Sequence, residues 1–238
     1  MSRCRVAVIG RENKRFDEVY EAASNSPICE KIICYSKYDA MDYALSIPGG
    51  FNRENAIAAI SVAHELGIPE EAIREGLIST TVPGRMEVFE NSARELACVV
   101  DYAHNSMGFR ELFNSLREMY PGYRLELIYG CPGGKAYSRR SDLVNASAGN
   151  VDFVWITEED PANEDPDEIA RVLERGYIEK GTPCRINNDR EQVIRDAILN
   201  AKPKTVIAVT GKGREYYMHR GDEYVEITSD VDIVKSYI

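Results

Sequence analysis

The sequence predicts an α/β fold: a mostly parallel sheet with helices on both faces, preceded by a smaller α/β segment. Three features carry that reading. Strand-length apolar runs alternate with helix-length amphipathic stretches over the C-terminal two-thirds of the chain. The runs ACVV, LELIY, DFVWI and VIAV are nearly unbroken in apolar residues, which suits strands covered on both faces. Pro83 and Gly84 interrupt the chain just before the alternation becomes regular, and divide a segment 1–82 from a domain 83–238.

Each element follows in order. RVAVIG, from Arg5, is a short apolar run closed by glycine and reads as a buried strand. The stretch to about Ser24 is helical in pattern, EKIICY is a second strand, and the text is then irregular up to IPGGFN. Asn52 is placed to cap a helix whose Ala56, Ala59, Ile60 and Ala63 recur on one face, and Gly67 ends it. Pro69 opens a second helix with Glu70 and Glu71 in its first turn, where the positive helix end favours acids. Past the break, MEVFE and LACVVDY are strands and Gly108 to Met119 a helix. RLELIYG is a strand, with a helix near Ser141 to Ala148. DFVWIT is a strand, followed by a helix from Asp165 to Glu179. CRIN is a weak strand, followed by a helix from Asp189 to Asn200. TVIAVTG is a strong strand, GDEYVEIT an edge strand or hairpin arm, and SDVDIVKSYI a final helix capped by Ser229.

Composition narrows the function. The chain has 238 residues and a net charge of -10, with Lys and Arg scattered rather than clustered. That excludes a broad nucleic-acid footprint but leaves room for a local cationic pocket that takes one nucleotide. No apolar run approaches the roughly 18 residues of a membrane span. The opening MSRCRVAVIG has an apolar stretch of strand length only, so no signal peptide is expected and the location reads as cytoplasmic. The 6 cysteines form no C-x-x-C pair and do not group with histidines, which argues against zinc and against a disulfide framework.

Parallel sheets bind ligands at the carboxyl ends of their strands. Four polar segments sit at such ends: DYAHN after ACVV, GCPGGKAYSRR after LELIY, TEEDPANEDP after DFVWI and TGKGRE after VIAV. All four are therefore expected on one rim. GCPGGK resembles a phosphate loop but fails the pattern, because the spacing is one residue short and Ala136 stands where Ser or Thr would hold magnesium. A glycine-rich turn or a substrate loop are the readings left. Asp101, three residues before His104, could orient that ring, although a structural histidine fits the residues equally well. His64 and His219 read as structural. The acidic run EEDPANEDP is either a solvated loop or, by its position, a holder of a cation or ammonium.

In order along the chain, IPGGFNRENAIAAISVAHELGI, VPGRMEVF, VVDYAHNSMGF, YGCPGGKAYSRR, TEEDPANEDP and TGKGREYY resemble the Mur ligases, and best their UDP-N-acetylmuramyl-tripeptide synthetase branch. The resemblance runs from about Ile47 to the end. It implies that 83–238 is the Rossmann-like C-terminal, amino-acid-accepting domain of a peptidoglycan-precursor ligase, and that 1–82 is a truncated remnant of the central ATPase domain. Such enzymes use ATP and Mg2+ to phosphorylate a substrate carboxylate, which the amine of the incoming amino acid then attacks. Carried over by position, Arg85, Asp101, Tyr102 and His104 would face ATP. Arg140, or Arg139 if the loop aligns one residue off, would grip the amino acid's carboxylate. Glu159, Asp160, Pro161 and Ala162 stand at the family's amino-acid-selecting D-N-P-x motif. Gly211 and Glu215 match the residues that contact the incoming diamino acid. Ala162 replaces the Arg of enzymes that add meso-diaminopimelate, while Glu159, Asp160 and Glu215 would attract a distal ammonium, so lysine is the expected substrate.

The chain also departs from the family. It has no G-K-T-[ST] phosphate loop and no UDP-sugar domain; Glu159 and Asp160 replace the usual Asp and Asn. A phosphoryl-transfer site needs its phosphate cradle and magnesium ligands together. The expectation is therefore a fragment or split subunit, inactive alone, that binds neither ATP nor Mg2+ tightly. Its expected partners are a small amino acid and a second chain carrying the missing ATPase half. A non-catalytic amino-acid-binding or regulatory module is the alternative. A cyanophycin-synthetase-like domain shares DYAHN, but DPANEDP and GKGRE argue against it.

Overall fold

The computed structural model describes residues 4–238. The chain divides into two compact units, Met1–Thr81 and Val82–Ile238. In the first, Val6–Gly10 (β1) and Lys31–Tyr35 (β2) pair in parallel, joined through Phe16–Ser24 (α1). Ala7, Ile9 and Ala23 form a small buried cluster, with Phe16, Val19 and Ile32 packed against it. Gly50–Glu65 (α2) and Glu70–Ser79 (α3) follow.

Two expectations for α2 are corrected. Asn52 lies inside the helix and does not cap it; its Nδ2 donates back to the Pro48 carbonyl at 2.6 Å. The chain enters the helix earlier because Gly49 takes φ 106, a conformation that glycine adopts readily. The buried face is Ala56, Ile57 and Ile60, whereas Ala59 is exposed.

The second unit holds Glu87–Asn91 (β3), Leu96–Asp101 (β4), Ser106–Met119 (α4), Arg124–Tyr129 (β5) and Ser138–Ser147 (α5). Phe153–Ile156 (β6), Pro166–Glu179 (α6), Cys184–Ile186 (β7), Arg190–Leu199 (α7) and Thr205–Thr210 (β8) come next. Tyr217–Arg220 (β9), Glu223–Glu226 (β10) and Asp230–Tyr237 (α8) close it. The main sheet runs β3-β4-β8-β5-β6-β7. Only β3 is antiparallel to its neighbour; the other pairings are parallel. Strand β8 enters between β4 and β5, so the chain reverses its direction across the sheet there. A crevice opens at such a point, at the carboxyl ends of the strands.

Side-chain alternation along the strands divides the core between two faces. Leu96, Cys98, Val100, Ile207 and Val209 pack with Val193, Ile194, Ala197 and Ile198 of α7 and with Val231, Ile233 and Val234 of α8. The other helices bury their own stripes: Phe109, Leu112, Phe113 and Leu116 on α4, and Ile169, Ala170, Leu173 and Tyr177 on α6. These fall at helical spacing, as one apolar face must. Capping fixes where the helices begin. Asn105 accepts from the Gly108 N–H, Asp165 from Asp167, Asp189 from Gln192 and Ser229 from Asp232. Strand β9 was not expected from the sequence; it makes GDEYVEIT one arm of a two-stranded antiparallel hairpin. No helix among the described residues is long and apolar enough to cross a membrane.

Candidate functional site

The turns after β4, β5, β6 and β8 meet around one cavity of about 130 Å³. Tyr102 and His104 line it from the first turn, and Pro132, Lys135 and Arg139 from the second. Glu159 and Asp160 come from the third, Gly211 and Glu215 from the fourth. The expected convergence on one rim is what the fold produces.

Glycine lets the loops approach this closely. A Cβ on Gly133 would fall inside the Pro161 carbonyl, and one on Gly211 would collide with Glu159 Oε2. Gly211 also sits at φ 107. The Gly133 N–H donates to the Asp160 carbonyl at 3.0 Å, which ties the second turn to the third. This loop therefore packs its backbone on its neighbour and is no open cradle for phosphate.

Each expected residue has a definite place. Arg139 lines the cavity, with Nη1 3.9 Å from Glu159 Oε1. Arg140 lies behind the wall: its Nη2 is 2.7 Å from Glu164 Oε2 and reaches the Pro132 carbonyl at 3.4 Å. Arg139 thus reaches the cavity, while Arg140 braces the loop. Ala162 does not line the cavity. Its N–H donates to the His219 carbonyl at 2.9 Å and its carbonyl accepts from Gly221 at 2.7 Å, which joins this segment to β9.

Asp101 ends β4. Expected at the nucleotide face, it is buried, and its oxygens accept from the Met86 N–H at 2.9 Å and the Ala103 N–H at 2.7 Å. At the end of β4 it fixes the turn that carries Tyr102 and His104. It does not orient the imidazole either, because His104 Nδ1 donates to the Tyr102 carbonyl at 2.8 Å, the only role a carbonyl allows its partner. Arg85 is exposed, with its guanidinium 5.2 Å from the centre of the Tyr102 ring.

Burial shapes the charges. Glu159 is 8% exposed, and burial pushes its carboxyl up to about 7 despite the nearby Arg190 and Arg139. Tyr102 is pushed up to about 12 by burial and by its 3.0 Å hydrogen bond to Glu215 Oε1. Burial pulls the Lys212 ammonium down, but hydrogen bonds to Glu215 and Asp160 outweigh it and hold the group above its ordinary value.

Sequence reasoning missed three positioning residues. Lys212 Nζ joins Asp160 Oδ1 at 2.9 Å to Glu215 Oε2 at 2.5 Å. Arg190 and Asp230 form a fully buried fork, with Nε–Oδ1 and Nη2–Oδ2 both 2.7 Å. Arg190 also donates to the Thr210 and Glu158 carbonyls, and Asp230 accepts from the Gly213 N–H at 2.9 Å. This fork holds the third and fourth turns in register. Among the described residues, no three His, Cys, Asp or Glu side chains converge as a metal site requires.

Residues 84–213 match the family model described as Mur ligase, glutamate ligase domain. The chain belongs to that family. It is 36% identical over 197 residues to the UDP-N-acetylmuramoyl-L-alanyl-D-glutamate--2,6-diaminopimelate ligase of Caldanaerobacter subterraneus subsp. tengcongensis, covering 83% of this chain and 40% of the relative. It is 34% identical over 203 residues to the UDP-N-acetylmuramoyl-L-alanyl-D-glutamate--L-lysine ligase of Enterococcus faecalis, covering 83% and 40%. A solved UDP-N-acetylmuramoyl-L-alanyl-D-glutamate--2,6-diaminopimelate ligase superposes with a TM-score of 0.61 at 26% identity, covering 98% of this chain and 53% of that one. Mycobacterium tuberculosis folylpolyglutamate synthase complexed with ADP shares the fold, with a TM-score of 0.65 at 22% identity over 87% of this chain and 52% of that one. This Mur ligase family chain thus spans about 40% of the length of these curated relatives. Lysine and diaminopimelate ligases stand at nearly equal identity, so likeness alone does not choose the amino acid.

Proposed function

We propose that this chain is the amino-acid-accepting part of a Mur-type ligase that joins a diamino acid to a UDP-N-acetylmuramoyl dipeptide, with lysine favoured over diaminopimelate. The observation that carries the reading is the cavity's charge pattern: Lys135 and Arg139 beside Glu159, Asp160 and Glu215. The two cations suit an α-carboxylate, and the acids suit ammonium groups. Ala162 supplies no guanidinium for a second carboxylate, which would lie among acids. Closing the four turns over the amino acid would hold its amine in place and exclude water from the reacting carboxylate.

Activation of that carboxylate by ATP lies with residues outside this chain, in the remainder of a longer protein or in a second chain. Arg85, Tyr102 and His104 would meet the nucleotide from this side. Residues 1–82 would be what remains here of the central domain. Calorimetric titration checks the amino acid: L-lysine should bind about tenfold more tightly than meso-diaminopimelate, a margin of ~1.4 kcal/mol. Tighter binding of diaminopimelate would refute the preference. Incubated with ATP and the muramoyl dipeptide, the chain alone should release no phosphate; dipeptide-dependent release would overturn the split. The lack of a phosphate cradle also suits a second reading, a non-catalytic amino-acid-binding module. Adding a protein that carries the missing ATPase half separates the two, because only the split ligase would then form the peptide bond.

A further inference from the structure

Lys212 is 1% exposed and lies behind the cavity wall, between the two carboxylates that face the cavity from opposite turns. Its ammonium also lies 4.7 Å from the centre of the Tyr217 ring. Two carboxylates and an aromatic face are the surroundings that suit the alkylammonium of a ligand. Here the protein has placed its own alkylammonium in them.

We propose that Lys212 is a tethered occupant of the ammonium subsite, a specificity-determining residue that competes with the side-chain ammonium of an incoming diamino acid for Asp160 and Glu215. The inference rests on the proposed amino-acid site and deepens it. Charge balance gives the reason. Asp160 and Glu215 bring two negative charges to this side of the cavity, and the Lys212 ammonium between them cancels one. An entering ammonium therefore meets acids already engaged, and must share them or displace their partner. The preference for a lysine-like side chain over a neutral one of equal length is smaller than the three acids alone would give.

The carboxylates stay in place without Lys212. Asp160 Oδ1 also accepts from the His219 N–H at 2.9 Å, and Glu215 Oε1 from the Tyr102 hydroxyl at 3.0 Å. Their side chains are 22% and 24% exposed, so both remain within reach of a ligand. Removing the charge at 212 should leave an ammonium-shaped vacancy that L-lysine fills and L-norleucine, its analogue without the terminal ammonium, does not.

The test is calorimetric titration of the whole chain, wild type and Lys212→Met, with L-lysine and L-norleucine. The ratio of the two dissociation constants should shift toward lysine by about tenfold in the variant, as expected for one unit charge removed beside the bound ammonium. Lys212→Arg, which keeps the charge, should retain the wild-type ratio. General loosening of the site weakens both ligands together and does not move the ratio. If Lys212→Met does not fold, Lys212→Gln keeps donors toward the carboxylates without the charge and should show the same shift. An unchanged or reversed ratio, with binding intact, overturns the role of Lys212 and leaves the amino-acid site standing. If neither wild type nor variant binds L-lysine or meso-diaminopimelate, the amino-acid site itself fails and this inference with it.

Discussion

At the scale of single residues, the rim is set by how closely its turns approach. Gly133 has the Pro161 carbonyl where a Cβ would sit, and both are backbone, so neither can swing aside. Gly133→Ala must therefore push two loops apart. The expected cost is about 2–3 kcal/mol in urea unfolding, at the upper end for overpacking. Because the displaced loop carries Arg139, affinity for L-lysine should fall with it. An alanine variant of wild-type stability would mean that the loops are not in this contact. Glu159 makes a different kind of prediction. Its carboxyl is raised from an ordinary 4.5 to about 7, so the folded protein holds that proton more tightly than the unfolded chain does. Stability from this group is therefore complete below about 4.5 and is lost as pH rises to about 7. The shift corresponds to on the order of 3 kcal/mol across that window. Glu159→Gln removes the titration, so the stability difference between wild type and variant should change in the variant's favour from pH 5 to pH 8. Parallel stability–pH curves for the two proteins would show that Glu159 is not charged against its surroundings.

Among the elements, the Arg190–Asp230 fork joins the start of α7, the start of α8, the end of β8 and the turn after β6. Removing one partner of a buried pair leaves a bare charge, and Asp230→Ala should cost about 3–5 kcal/mol. Many buried pairs can be replaced together by apolar residues at little cost, but this one also satisfies backbone groups of Thr210, Glu158 and Gly213. The double variant Arg190→Met with Asp230→Leu should therefore stay destabilised by at least ~2 kcal/mol, because those groups remain buried and unpaired. Recovery to wild-type stability in urea melts would show that the fork matters only as a pair. The same element level explains what the sequence made legible. Strands β4, β5 and β8 are nearly unbroken apolar runs, and α4, α6 and α7 between them carry apolar stripes opened by Asn or Asp caps, so their positions could be read locally. Parallel pairing then placed four polar turns on one rim without further information. Strand β9 was hidden because YMHR has no alternation of its own and pairs only through the hairpin. Arg190 and Asp230 were hidden because a buried charge is recognised by its partner, and these two lie 40 positions apart; Lys212 has Glu215 close by, but its other partner, Asp160, is 52 positions away. The available signal was a charge standing where the apolar stripe should continue: Asp230 directly before Val231, and Lys212 two residues after a strand buried throughout.

For the whole molecule, the two units differ in what they can sustain alone. Val82–Ile238 has a six-stranded sheet with helices on both faces, and it contains every residue that lines the amino-acid cavity. The first unit has a two-stranded parallel sheet, a buried cluster of Ala7, Ile9 and Ala23, and the buried Ala56, Ile57, Ile60 and Ile73 of its two later helices. Two strands and so small a core are marginal, since burial must offset about 1–2 kcal/mol of backbone entropy per residue. We therefore expect residues 82–238, expressed alone, to unfold in one cooperative urea transition and to bind L-lysine within about threefold of the full chain. Residues 4–81 alone should show no cooperative transition, because few of their apolar side chains leave water. The contrary result is equally definite. If 82–238 loses its cooperative transition, or its lysine affinity falls by tenfold or more while 4–81 folds, then the sheet and its rim depend on the first unit, and the amino-acid site belongs to the chain as a whole.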